Sequence, residues 1–484
     1  MKRFLTFILA AIMILTAMSC VGDTATGTVA TTSAQDEAKP EGTTAVDTPS
    51  PAPSDEAGFY AGYARVDITP DFSVPIGSNM TDRVQDHTYA TIIAVSDGET
   101  KALFITTDLR NSKGYVLEKT LRVAEMNGVP RDNVFLSATH NHSAITYDDS
   151  NTYAIVKWRN IYYQAIEEGI EAALADLSPT TAEIGSAKTT NFAFVRRYIM
   201  EDGSFKGIHT NNTSTAYKEH ETEADDTMQV IRFNRTDAKD IVMVNWQAHP
   251  AHAVDMFPTM ITSDFVHYFR KGAEEKFDIN FAYYQGACGN INLKSYISGK
   301  QIYANYMQVG NALPDVLGEA LESMTPVSLG EIKTERVDFD VTVNHDDDHL
   351  YDKALEVNKE KDATKQKELI AKYGFQSKYE ASSIITRYNY GVTETFSLSA
   401  ISFGDLGFAS TPYEMFDTNG MEVKDGSPFK MTFVCSCTNG SWSYVAADHA
   451  YENGGYEVYN CKFVRGTAEA VVGELLRLLN KQYN

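Results

Sequence analysis

Runs of apolar, β-branched and aromatic residues recur at 88–97, 101–108, 134–140, 240–249, 280–287, 396–412 and 429–437, and they predict strands. The run 396–412 breaks at Gly404-Asp405, which predicts a hairpin. Between these runs, apolar positions return with helical spacing at 116–128, 153–177, 264–277, 307–324 and 464–481. Several strand runs are apolar at successive positions, the pattern of strands covered on both faces. The chain is therefore expected to be α/β: stacked mixed β-sheets flanked by helices, in αββα-like layers. Residues 345–380 are densely charged and predict a solvated helical pair or an insertion, with no internal repeat anywhere in the chain.

The N-terminus changes the picture of where the chain works. Residues 1–19 carry two early cations, an apolar run from Phe4 to Leu15 and small residues before Cys20, the pattern of an export signal. The run is short for a membrane span, and Ala17-Met18-Ser19-Cys20 resembles the box at which bacterial lipoproteins are cleaved and lipidated on the cysteine. Residues 20–57 contain no apolar side chain larger than valine, so they cannot bury enough surface to offset chain entropy and read as a disordered tether. The working domain is then 58–484. It is expected on the outer face of the cell membrane, held there by a lipidated Cys20.

The formal net charge of −23 argues against nucleic-acid binding. Beyond Cys20 only Cys288, Cys435, Cys437 and Cys461 remain. Two disulfides in three connectivities are open to them, and Cys435-x-Cys437 lacks the spacing of a cysteine zinc site.

Candidate chemistry gathers at strand ends. His140 and His142 close the run VFLSATHNHS; in extended backbone an HxH pair puts both imidazoles on one face, able to supply two metal ligands, or one ligand and one acid/base. His249 and His252 close another apolar run, in VNWQAHPAH, where proline stops the strand. Two such strand ends invite a shared metal. Glu414, in STPYEMF after the expected hairpin, is a usable oxygen ligand, although a glutamate there also suits a helix terminus. Nothing in the periodicity singles out Tyr444 among the tyrosines of CTNGSWSYVAADHAYENGGYEV.

Taken together these motifs resemble the catalytic N-terminal domain of the neutral/alkaline, non-lysosomal ceramidase family. AGYARVDITP is similar to its G-x-x-x-x-D-I-T-P opening, ATHNHS to A-T-H-T-H-S, VNWQAHP to N-W-F-A-x-H, and YQGACGNIN to Q-x-x-x-G-D-x-x-P-N. STPYE matches V-P-G-E in setting a proline two residues before the glutamate. Asn439, Tyr444, Val445, Tyr451, Tyr456 and Glu457 meet the family's C-terminal pattern at its spacings. The resemblance implies one Zn²⁺ held by His140, His249, Glu414 and Tyr444, with His142 as acid/base, Tyr456 as an oxyanion-stabilising phenol, and Arg196 orienting the substrate. Arg197 competes for that last role.

The chain also departs from the family. Gly289-Asn290-Ile291-Asn292 replaces G-D-x-x-P-N, Ser295 and Ser298 are only loose counterparts of the family's serine stretch, and Met415-Phe416-Asp417-Thr418-Asn419-Gly420 replaces the helix after the glutamate. No C-terminal immunoglobulin-like domain is expected. The implied activity is zinc-dependent hydrolysis of an N-acyl, ceramide-like amide on a lipid-like substrate. The alternatives are a tethered binding lipoprotein without turnover, or a zinc hydrolase of another ester or amide; no G-x-S-x-G serine-hydrolase motif or phosphate loop occurs. The sequence does not fix an oligomeric state.

Overall fold

Eight strands lie side by side in the order Asn280–Gln285, Ile241–Trp246, Thr227–Arg235, Ser178–Lys188, Tyr60–Asp67, Tyr89–Ser96, Lys101–Thr107 and Val134–Ala138, with Thr325–Val327 pairing beside Ser178–Lys188 as a ninth. This is a computed structural model, and it describes residues 58–207, 216–302 and 305–484. The expected export signal (1–19) and tether (20–57) lie outside the described residues.

A second sheet of four strands, Ile332–Thr342, Thr393–Phe403, Leu406–Ser410 and Met431–Cys435, stacks on the first. Phe104, Phe135, Ile231, Met243 and Tyr284 of the large sheet share one buried cluster with Ile401, Phe403, Phe408 and Phe433 of the small one. The predicted hairpin is present, with Phe403 opposite Leu406 and Gly404 in the turn at φ +59°.

Helices close both outer faces. Trp158, Tyr162 and Ile166 of the helix Tyr153–Ala175 pack with Ile92, Ile105 and Leu136. Phe265–Phe277 and Tyr306–Glu322 cover the other half of the large sheet, and Thr467–Tyr483 covers the small sheet. The layers are α, β, β, α, as the hydrophobic pattern predicts. Each apolar strand run has its two covers: all six residues of Ile241–Trp246 are buried.

The large sheet is two halves joined by only two residue pairs, Tyr60 with Pro179 and Ala61 with Ser178. That short seam lets the sheet roll until the edge strand Asn280–Gln285 meets Lys101–Thr107, the neighbour of the opposite edge strand. Thr106 Oγ1 donates to Tyr283 O at 2.8 Å, and Tyr284 OH donates to Phe104 O at 2.9 Å. The ends of Val134–Ala138 and Ile241–Trp246, far apart in sheet order, thus come to one place. The charged segment folds as three helices, Tyr351–Lys359, Ala363–Tyr373 and Lys378–Tyr388, with a small core of their own. All four cysteines of the domain are buried free thiols, so neither of the two possible disulfides forms.

Candidate metal centre

The strand carrying the first histidine pair stops at Ala138, two residues short of its predicted end. Thr139 N donates to Thr107 O and Asn141 N to Leu109 O, so the chain turns along the neighbouring loop. His140 takes φ +62°, a left-handed conformation that costs a residue with a Cβ on the order of 1–3 kcal/mol. The HxH pair is therefore not extended, and a turn, not strand alternation, brings its rings together. His142 N donates to Pro250 O at 3.0 Å, which ties this loop to the one carrying His249.

A third segment threads between the sheet's two edges. Ser436 N donates to Gln285 O on one side, while Ala138 N donates to Cys437 O and Asn439 N to Leu136 O on the other. Buried Asn439 locks this arrangement, accepting from Leu136 N and donating to Val134 O. The chain beyond it reaches the two-residue strand Tyr444–Val445, which pairs in parallel with Glu414–Met415 so that Glu414 stands beside Tyr444.

Proton inventory defines the centre. His140 Nδ1 faces Arg110 O at 2.9 Å and His249 Nδ1 faces Cys288 O at 3.3 Å. A carbonyl oxygen only accepts, so both Nδ1 atoms carry protons and both Nε2 atoms present lone pairs inward. His142 Nε2 lies 3.3 Å from His140 Nε2 and 3.0 Å from His249 Nε2. One N–H on His142 serves one of the two lone pairs, and the other has no proton to meet. Glu414 Oε2, 3.3 Å from His140 Nε2 and 4.0 Å from His249 Nε2, is buried with no hydrogen-bond partner.

Converging lone pairs and an orphaned carboxylate oxygen fit a divalent cation. Donors around tetrahedral Zn²⁺, at bond lengths of about 2.0–2.1 Å, stand about 3.3 Å apart, close to three of the four separations here. His142, read from the sequence as the acid/base, has its Nε2 among these donors, and His140, His142 and His249 together form a cluster able to hold an ion.

Burial, reinforced by Arg110 and the neighbouring imidazoles, holds His142 well below the ordinary histidine pKa, and burial does the same for His249. Burial and Glu414 push the Tyr444 phenol well above its usual range, leaving it neutral.

Arg196, 5% exposed, donates from Nε to Glu457 Oε1 at 2.8 Å and from Nη2 to Gly289 O at 2.8 Å and Tyr444 OH at 3.0 Å. It lies over the rings of Tyr444 and Tyr456, which are themselves 5.6 Å apart. Arg197 turns the other way, to Glu221, Glu457 and the carbonyls of Ala450 and Gly454. Of the two arginines, Arg196 is the one that touches Tyr444.

His252 stands apart from the three-histidine cluster. It opens the short helix His252–Met256, with its backbone N–H on Asp264. Ser295 hydrogen-bonds His220, away from the histidine cluster.

Sequence reasoning missed four contributors. The carbonyls of Arg110 and Cys288 fix the imidazole tautomers but leave no side-chain signature. Asn290, read only as a departure from the family, exchanges hydrogen bonds with Asp417 and so anchors the chain after Glu414. Tyr379 of the charged insertion packs on Tyr456 at 5.2 Å, which brings that insertion to the rim.

Gly289 sits where Arg196 and the Glu414 strand cross. Its N–H donates to Met415 O at 2.7 Å, and an added Cβ would lie 2.7 Å from Glu414 O. Gly289→Ala is expected to push the Glu414 strand away and weaken metal binding by about 10- to 100-fold. Competition against a chromophoric chelator reads this directly; unchanged affinity would show that Glu414 does not hold the ion.

No model of a known protein family matches the chain, and no curated protein matches it by sequence. Solved structures do. The crystal structure of neutral ceramidase from Pseudomonas aeruginosa is similar over 88% of this chain and 74% of that one, with a TM-score of 0.66 and 17% identity. A ceramidase complexed with C2 is similar over 88% of this chain and 76% of that one, with a TM-score of 0.65 and 15% identity. At these identities the likeness is one of architecture: the chain has the fold of the neutral ceramidases.

Proposed function

We propose that the protein is a zinc-dependent amidohydrolase that cleaves the amide of an N-acyl, ceramide-like lipid. The observation that carries this reading is the convergence of inward imidazole lone pairs on the unpartnered Glu414 Oε2, beside a buried guanidinium and two phenols. His140, His249, Glu414 and the Tyr444 hydroxyl would hold the ion. When bound, Zn²⁺ polarises a carbonyl and lowers the pKa of water to roughly 7.

His142, neutral at physiological pH, takes one proton from the attacking water. The water oxygen bonds to the acyl carbon, the C–N bond breaks, and His142 delivers the proton to the departing amine nitrogen. Tyr456, whose phenol burial holds above its usual pKa, donates to the developing oxyanion. Arg196 adds positive charge there while Glu457 fixes its direction. In the same reading the lipidated Cys20 and the tether 20–57 keep domain 58–484 at the outer face of the membrane, next to its lipid-like substrate.

The short His142 separations favour a second ligand set, in which His142 joins His140 and His249 on the ion and another group carries the proton. Metal analysis of the purified protein, paired with a panel of ceramide, N-acyl amine and ester substrates, tests the function itself. Bound zinc is expected together with amide cleavage that a chelator abolishes and Zn²⁺ restores. A protein that holds no zinc and cleaves none of the panel would be a binding protein instead.

A further inference from the structure

One cation at this centre has no counter-charge. Arg110 lies in the loop between the strand Lys101–Thr107 and the helix Gly114–Met126. Its backbone is pinned on every side. Leu109 O accepts from Asn141 N, Arg110 O from His140 Nδ1, and Asn111 O from Tyr147 OH. The side chain therefore leaves the chain beside His140, and it is exposed.

Other cations in and around the centre are committed: Arg196 to Glu457, Arg197 to Glu457 and Glu221, Lys424 to Asp225. Arg110 forms no ion pair among the described residues, in a chain with 65 acidic side chains against 42 basic ones. Its own carbonyl, 2.9 Å from His140 Nδ1, sets this exposed cation directly next to the histidine cluster.

We infer that Arg110 reads an anionic group on the substrate, so that the preferred substrate is an N-acyl amine bearing a carboxylate close to the scissile amide, as in an N-acyl amino acid. This inference rests on the amidohydrolase reading above and sharpens its substrate class. The acyl tail is apolar, which puts the anion on the amine-derived portion. A guanidinium meets a carboxylate through two parallel N–H···O bonds, an interaction that the uncharged polar end of a ceramide does not offer. An exposed cation without an ion pair, next to the histidine cluster of an otherwise acidic protein, also draws such an anion in.

The test is a matched pair, N-octanoylglycine and its neutral counterpart N-octanoylethanolamine, given to the zinc-loaded wild type, Arg110→Ala and Arg110→Lys. The wild type is expected to prefer the glycine conjugate in kcat/KM by about 10- to 100-fold, the range of a hydrogen bond to a charged group. Arg110→Ala should collapse that ratio, mainly through KM, and Arg110→Lys should recover part of it. A wild-type ratio near unity, or a ratio indifferent to Arg110→Ala, overturns the inference while leaving the hydrolase reading intact. If neither compound is cleaved, the wider substrate panel decides the hydrolase reading, and calorimetric binding of N-octanoylglycine decides the Arg110 inference separately. Binding weakened by Arg110→Ala sustains it, and binding that is absent or unaffected ends it.

Discussion

His140→Ala is expected to release the metal and abolish hydrolysis together, weakening affinity by more than about a hundredfold, beyond the cost of losing a ligand's hydrogen-bond partner. His140 is strained at φ +62°, and the strain persists because Thr139 N on Thr107 O, Asn141 N on Leu109 O and its own Nδ1 on Arg110 O hold the turn, which aims Nε2 at Glu414 Oε2, 3.3 Å away. The paired variant His142→Ala separates the two ligand sets. As the acid/base, His142 can be removed with the metal retained while kcat falls by about 10²- to 10⁴-fold. As a third imidazole ligand, it takes the metal with it. Elemental analysis of the two variants beside single-turnover rates reads both outcomes. Full metal in His140→Ala would refute a centre that includes His140.

What the sequence discloses and what it hides divide along physical lines. The doubly covered strands and the hairpin at Gly404-Asp405 are legible because burial on both faces leaves continuous apolar runs. Ser178–Lys188 and Ile332–Thr342 escape because each keeps a wet face and carries charges among its apolar residues. The two histidine loops are legible as strand ends, yet the roll of the large sheet that joins them depends on a seam of two residue pairs, which no local pattern encodes. Glu414 and Tyr444 meet through a parallel bridge two residues long, formed only after Ser436–Asn439 threads between the sheet edges. A family pattern can suggest those two residues, but periodicity cannot. Arg196 and Arg197 are adjacent and identical in chemistry, and only the fold shows which one reaches Tyr444.

Glu457→Gln is expected to be among the most destabilising single substitutions in the domain. Glu457 is fully buried between two arginines, accepting from Arg196 Nε at 2.8 Å and from Arg197 Nη1 at 3.0 Å. Arg197 keeps Glu221 when Glu457 is neutralised. Arg196 then keeps only the neutral partners Gly289 O and Tyr444 OH, a buried cation without compensation. Breaking such a pair from one side costs about 3–5 kcal/mol, whereas replacing both charges costs far less. Denaturant titration should therefore find Glu457→Gln less stable than the double variant Arg196→Met/Glu457→Gln, a non-additivity that a purely steric defect would not produce. Burial raises the Glu457 carboxyl, but Arg196 and Arg197 outweigh it and leave the folded-state pKa below the unfolded one. Its stabilisation is then complete above the unfolded value, about 4.3 for glutamate, and disappears as pH falls through the depressed folded value. The gap between wild type and Glu457→Gln should narrow in acid over that window. A gap under about 1 kcal/mol at neutral pH would mean that the two guanidiniums find their compensation elsewhere, and that Glu457 does not set the direction in which Arg196 points.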